Sequence, residues 1–189
     1  MSTRFRADTA SDLVLLLLYA SQRQGMKSWS GITRLQKLAF LATEDPSYAD
    51  LAVKGEAPAI EFEAYKMGPF TPEIYEAVDT LTSFDPPLIR ATPGTVEGQD
   101  EVETAHYVAE MDLDQMTTPG PRPNTFTLTY DGSKVGKRLW DDAPVELQSV
   151  LTTLVQQFGR MPLRDLLRFV YTAHPEKTSR SEIKAQLGL

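Results

Sequence analysis

The sequence predicts a mainly helical α+β domain with a small β-wing. Three observations point to it. Apolar residues recur at helical spacing towards both ends of the 189-residue chain. Between those ends, short alternating stretches such as Thr125-Phe126-Thr127-Leu128-Thr129 read as strands. Thr71-Pro72 is a helix-start signal of cap and first-turn proline. The length fits one domain over 1–189, with a helical core at 10–85 and 133–189 around a proline-rich, acidic and β segment at 86–132.

The first helix is predicted from about Ser11 to Gln24, with Thr9 or Ser11 as cap. Leu13, Leu16, Leu17 and Ala20 form its stripe. Val14, Leu15 and Leu18 widen that stripe enough to make the helix central. Gly25 ends it. A second helix, over 32–44, turns Ile32, Leu35, Leu38, Ala39 and Leu41 inward and Arg34 and Lys37 outward. Asp45-Pro46 breaks it, and 46–59 reads as a loop. Residues 60–66 approach strand alternation, and Gly68-Pro69 signals a turn. The helix opened by Thr71-Pro72 buries Ile74, Tyr75, Val78 and Leu81 and closes at Asp85-Pro86-Pro87.

Leu88-Ile89-Arg90, 107–113 and 125–129 are the candidate strands, and 117–124 is a loop. The stretch 92–124, acidic and rich in proline, is expected to be the least ordered. Asp131-Gly132 is read as a turn into a helix from Ser133 to Trp140. Helices follow from Pro144 to Phe158 and from Leu163 to Tyr171. A last one starts at Ser179 with the capping-box pattern Ser179-Arg180-Ser181-Glu182. The helices at 11–24, 32–44 and 144–158 should pack together, burying Leu16, Leu35, Leu38, Ile74, Leu151 and Leu167.

Composition narrows the function. The chain has no cysteine, which excludes thiol chemistry and cysteine-held zinc and suits the reducing cytoplasm. Its longest apolar run, Leu13 to Ala20, is too short to span a bilayer, so no membrane role is expected. With two histidines, no nucleophile elbow and no glycine-rich phosphate loop, no catalytic constellation emerges, and neither cofactor nor metal is expected. Glu110, Asp112 and Asp114 could hold a hard cation, but their spacing fits the solvent face of an edge strand better. The net charge of −7 opposes nucleic acid. It is unevenly spread: residues 1–133 hold 10 basic and 20 acidic side chains, and 134–189 hold 9 and 6.

The candidate partner-binding residues are therefore basic. Arg164 and Arg168 lie one turn apart on a helix, with Arg160 just before it. In line, these could grip phosphates or an acidic partner; a solvated face paired locally with Asp165 is the plainer reading. Lys134, Lys137 and Arg138 follow the strand at 125–129, a sequence of strand, glycine and basic helix that resembles the last strand of a winged-helix wing. Arg34, Lys37 and Lys66 are expected to be exposed and available.

One further set is more specific. Gly31-Ile32-Thr33-Arg34-Leu35-Gln36-Lys37-Leu38-Ala39-Phe40-Leu41 is followed, one loop later, by Phe62-Glu63-Ala64-Tyr65-Lys66-Met67-Gly68-Pro69-Phe70-Thr71-Pro72-Glu73-Ile74-Tyr75. This pairing, together with the ending from Phe169 to Lys184, resembles the YwgA-like and SocA-like (Panacea-domain) antitoxin group over 30–81 and 163–184. The resemblance implies partner control without chemistry, as in bacterial phage-associated and toxin–antitoxin loci: direct binding of a toxin, a protease adaptor, or transcriptional regulation. Leu35, Leu38, Gly68, Pro69 and Tyr75 have structural reasons to belong to the motif, since Gly68 permits a sharp turn, Pro69 stiffens it and Tyr75 can pack back upon it.

Two readings follow. A protein-binding module, with a toxin or other protein as partner, explains the negative charge and the run from Glu97 to Asp114, which holds seven acids and no base. A winged-helix DNA-binding regulator explains the wing-like segment and the basic last third, but Glu73, Glu76 and Asp79 on the helix after Gly68-Pro69 would repel phosphate. Protein binding leads, nucleic acid is the alternative, and either admits a homodimer.

Overall fold

The computed structural model describes residues 6–66, 68–93, 124–181, 183–184 and 187–188. Within them the chain is α+β and mainly helical, with two small antiparallel sheets. The order is α1 (Ala10–Arg23), β1 (Trp29–Ser30), α2 (Ile32–Thr43), α3 (Pro46–Val53), β2 (Glu63–Tyr65), β3 (Gly68–Phe70) and α4 (Pro72–Ser83). Then come β4 (Ile89–Pro93), β5 (Asn124–Leu128), α5 (Tyr130–Asp142), α6 (Val145–Phe158), α7 (Leu163–Ala173) and a 3-10 turn at Pro175–Thr178.

Helix α1 is central for the reason its sequence suggests. Every residue from Leu13 to Leu18 is buried, so the helix needs neighbours on all sides, and it packs against α4, α5 and α6. Thr9 is the cap: its hydroxyl accepts from the Asp12 amide while the Asp12 carboxylate accepts from the Thr9 amide. Helix α2 lies on α6, α7 and α3. Leu16, Leu35, Leu38, Ile74, Leu151 and Leu167 are all fully buried, as expected.

The larger sheet has the order β1-β5-β4. The β4–β5 pair follows α4 and lines up Ile89 with Leu128 and Pro93 with Asn124, while the two residues of β1, between α1 and α2, pair with the other edge of β5. This is the small β-wing. The second sheet is the β2–β3 hairpin, with Glu63 opposite Phe70 and Tyr65 opposite Gly68. No helix among the described residues is long and apolar enough to cross a membrane.

Four expectations are corrected. The expected loop at 46–59 contains α3. Asp45 caps it by accepting from the Ser47 amide, Pro46 takes the first position, and Tyr48 and Leu51 are buried. Helix α5 begins at Tyr130 rather than Ser133, because Thr129 is its cap and accepts from the Gly132 amide, so Gly132 lies in the first turn and not in a loop. No helix starts at Ser179; its hydroxyl donates to the Glu176 carbonyl, and it is Ser181 that accepts from the Ile183 amide. Lys37, expected to point outward, is only 2% exposed. The predicted strand at 107–113, the Glu110, Asp112 and Asp114 set, most of the stretch expected to be least ordered and the loop expected at 117–124 lie outside the described residues, save that Asn124, the last residue of that loop, begins β5 through its pairing with Pro93.

Candidate partner-binding surface

The segments that carry the motif meet in space. From α2, the Gln36 side chain donates to the Thr71 carbonyl at 2.7 Å and accepts from the Thr71 amide at 3.2 Å. Next to it, Lys37 Nζ donates to the Pro69 carbonyl at 2.9 Å. These buried polar groups fix the β2–β3 hairpin and the start of α4 onto α2. Gly68 adopts a φ of 86°, and a Cβ placed there would lie 2.9 Å from Tyr171 Cε2 of α7, so the hairpin approaches α7 more closely than a side chain allows. The Tyr171 hydroxyl shares a 2.7 Å hydrogen bond with the Ser181 hydroxyl, and burial pushes the phenol up to about 12 despite that bond. Lys177 Nζ donates to the Phe62 carbonyl at 2.8 Å. His174 packs edge-on against Phe40 with its Nδ1 3.6 Å from the Glu44 carboxylate. The motif is thus a buried joint between α2, the hairpin and the end of α7.

Its cations do not form an open basic face. Lys37 lies inside the joint. Arg34 is half-buried and donates to the Phe158 carbonyl at 3.2 Å and the Met161 carbonyl at 2.8 Å, where a guanidinium suits the C-terminal end of α6. Both residues were expected to be available, and their hydrogen bonds show why they are not. Arg160 donates to the Gln24 carbonyl at 3.1 Å, which ties it towards the end of α1. Arg164 and Arg168 are exposed on α7 as the spacing suggested. Lys134 sits over the Tyr130 ring, Lys137 pairs with Asp141, and Arg138 is exposed, all on α5. Helix α5 packs on α1, whereas α7 packs on α2 and the 3-10 turn, so the two basic sets stand on separate supports. Lys66 is exposed beside the hairpin.

Sequence reasoning missed a row of aromatic rings. Tyr65 of β2 stands 5.0 Å from Phe70 of β3, and Phe70 stands 5.8 Å from Tyr75 of α4. Tyr65 is 43% exposed, while Phe70 and Tyr75 are half-buried. The near-alternation of 60–66 was the available signal, since it sends Glu63 and Tyr65 to one face. On α4 the exposed residues are Pro72, Glu73, Glu76, Asp79, Thr80 and Ser83, three acids and no base.

A cavity of about 350 Å³ opens between the end of α1 and β5, walled by Leu18, Met26, Trp29 and Leu128 among others. The Trp29 indole N–H has no partner among the described residues, yet it is shielded from solvent, so the cavity does not offer it to a ligand. No group of three or more acidic or histidine side chains converges among the described residues.

No family model matches the chain, and no curated protein or solved structure matches it either.

Proposed function

We propose that this chain is a non-enzymatic regulatory module that works in the cytoplasm by binding a protein, in the manner of an antitoxin or adaptor. The observation that carries the reading is the charge of α4. In a helix-and-wing arrangement, the helix entering the wing strands is the one offered to a DNA groove. Here that helix is α4, and its solvent face carries Glu73, Glu76 and Asp79 without any lysine or arginine. Such a face repels phosphate, whereas a protein surface of matching charge accepts it. The buried joint supports the same view, because it uses Lys37 and Arg34 to build the scaffold rather than to contact a polyanion.

The second reading, a DNA-binding regulator, is favoured by the strand order β1-β5-β4 next to α4. The two separate in one pair of measurements. Tagged chain purified from its host at ~150 mM salt should bring down a protein at fixed stoichiometry, while random duplex DNA should give no gel shift. Tight binding to random duplex, with log affinity falling against log salt at about −0.9 per phosphate neutralised, would instead establish the regulator.

A further inference from the structure

We propose that the aromatic row Tyr65–Phe70–Tyr75, with the acids around it, docks an arginine-bearing basic segment of the partner protein. The inference rests on the protein-binding reading and names the surface and the chemistry of what it takes.

The geometry begins with register. Glu63 is the direct cross-strand neighbour of Phe70, so both side chains stand on one face of the hairpin, together with Tyr65 two residues along. Phe70 then hands the row on to Tyr75 at the start of α4. Asp79 is four residues beyond Tyr75 and lies beside it on the helix surface, with Glu76 on the same exposed side. The result is an arc of three rings with Glu63 beside the middle ring, Phe70, and with Glu76 and Asp79 beyond the Tyr75 end.

Two properties select the occupant. None of Glu63, Glu73, Glu76 and Asp79 forms an ion pair with a described side chain; Lys177 bonds the Phe62 carbonyl rather than the Glu63 carboxylate. Lys66 is the one cation in the hairpin sequence, against four acids over 63–79. Ring faces attract cations, and a guanidinium does this best because it is planar, weakly hydrated and able to stack while its N–H groups reach carboxylates. An arginine laid on Phe70 would have Glu63 beside it on the neighbouring strand, and one laid on Tyr75 would have Asp79 one turn along α4. An ammonium meets the charge but not the planar stack, and a phosphate backbone meets neither. The arc is also held rigidly. Gln36 and Lys37 bind the Thr71 and Pro69 backbone directly beneath it, so little order has to be gained on docking.

The test uses the full chain and two synthetic peptides, (Arg-Gly-Gly)4 and (Lys-Gly-Gly)4, which carry equal charge. The proposal expects the arginine peptide to shift the aromatic NMR signals of Tyr65, Phe70 and Tyr75 and to bind several-fold more tightly than the lysine peptide. Tyr65→Ser should weaken it by about twofold to fivefold, and the Glu76→Lys, Asp79→Lys pair by more than about tenfold. Phe169→Ser, an exposed aromatic on α7, should change nothing. Thermal melts establish that each variant is folded, and Tyr65→Phe, which keeps the ring, should restore binding. Equal affinity for both peptides, with shifts spread over all acidic residues, would overturn the proposal as mere polyelectrolyte attraction. So would a host protein retained equally by wild type and by the charge-reversed variant, and in that case protein binding itself would stand. Capture of no protein, with salt-sensitive binding to duplex DNA, would overturn both.

Discussion

Gln36 and Lys37 are adjacent polar residues, and both are only 2% exposed. A helix read by period alone turns such residues outward, and Lys37 of α2 was read that way. What reverses them is a neighbour that the period does not contain. The hairpin supplies the Thr71 amide and carbonyl to Gln36 and the Pro69 carbonyl to Lys37, so the polar side of α2 meets backbone rather than water. Buried polar groups are tolerated when they are matched in this way and are costly when they are not. Gln36→Leu keeps the apolar stem and strands the Thr71 amide inside. It should destabilise the chain by about 1–3 kcal/mol, read as a lower urea midpoint with an unchanged slope. A variant as stable as wild type would mean that the Gln36 hydrogen bonds to Thr71 contribute no net stability.

Among the described glycines, the one in closest approach to another element is Gly132 of α5, against Leu88 at the start of the wing. A Cβ built on Gly132 would lie 1.8 Å from the Leu88 carbonyl oxygen, a backbone atom that cannot swing aside. The same junction is fastened by Thr129, whose hydroxyl donates to the Pro87 carbonyl at 2.7 Å and whose amide donates to the Leu88 carbonyl at 3.0 Å. Gly132→Ala should therefore push helix and strand apart and cost about 4 kcal/mol or more, at the upper end of single substitutions. Gly136→Ala on the same helix should cost clearly less, because the atoms nearest its Cβ belong to the Tyr19 side chain, at 3.1 Å, and not to backbone. Thermal melts of the pair measure the contrast, and equal losses would contradict it. This scale also shows what could be read in the sequence. The starts of α1 and α4 were legible because a cap and the amide it serves lie within a few residues: the Thr9 hydroxyl accepts from the Asp12 amide, and the Thr71 hydroxyl accepts from the Glu73 amide with Pro72 in the first turn. Gly132 was misread as a turn because its reason is the approach of Leu88, which is remote in sequence. Helix α3 was missed because Asp45-Pro46, read as a stop, is equally a start, and its short sequence of mostly small residues buries only Tyr48 and Leu51. Of the candidate surface, Gly68, Pro69 and Tyr75 stood out singly, but the row they help form depends on the register of β2 with β3.

Across the described residues, the two basic sets of the last third divide between two supports, α5 on α1 and α7 on α2, while Lys37 and Arg34 of the earlier part bond backbone carbonyls inside the fold. Two buried tyrosines each bond a residue ten positions further along the chain. Tyr48 of α3 donates its hydroxyl to the Pro58 carbonyl at 2.9 Å, and Tyr171 of α7 is bonded to Ser181. Burial raises both phenols, Tyr171 to about 12 and Tyr48 further still. An unfolded tyrosine ionises near pH 10, so each folded group holds its proton more firmly than the unfolded one. Stability from this source is complete below about pH 10 and is lost as the pH rises through the folded values. For Tyr171 the gap between about 10 and about 12 corresponds to roughly 3 kcal/mol once fully expressed. Tyr171→Phe removes the Ser181 hydrogen bond and should be less stable than wild type by about 0.5–1.5 kcal/mol at pH 8. It cannot ionise, however, so its deficit should shrink above pH 10 and reverse towards pH 12. Urea melts from pH 8 to 12, with phenolate absorbance followed on the same samples, test this directly. A deficit that stays constant across the range would mean that the Tyr171 phenol ionises as readily in the folded chain as in the unfolded one.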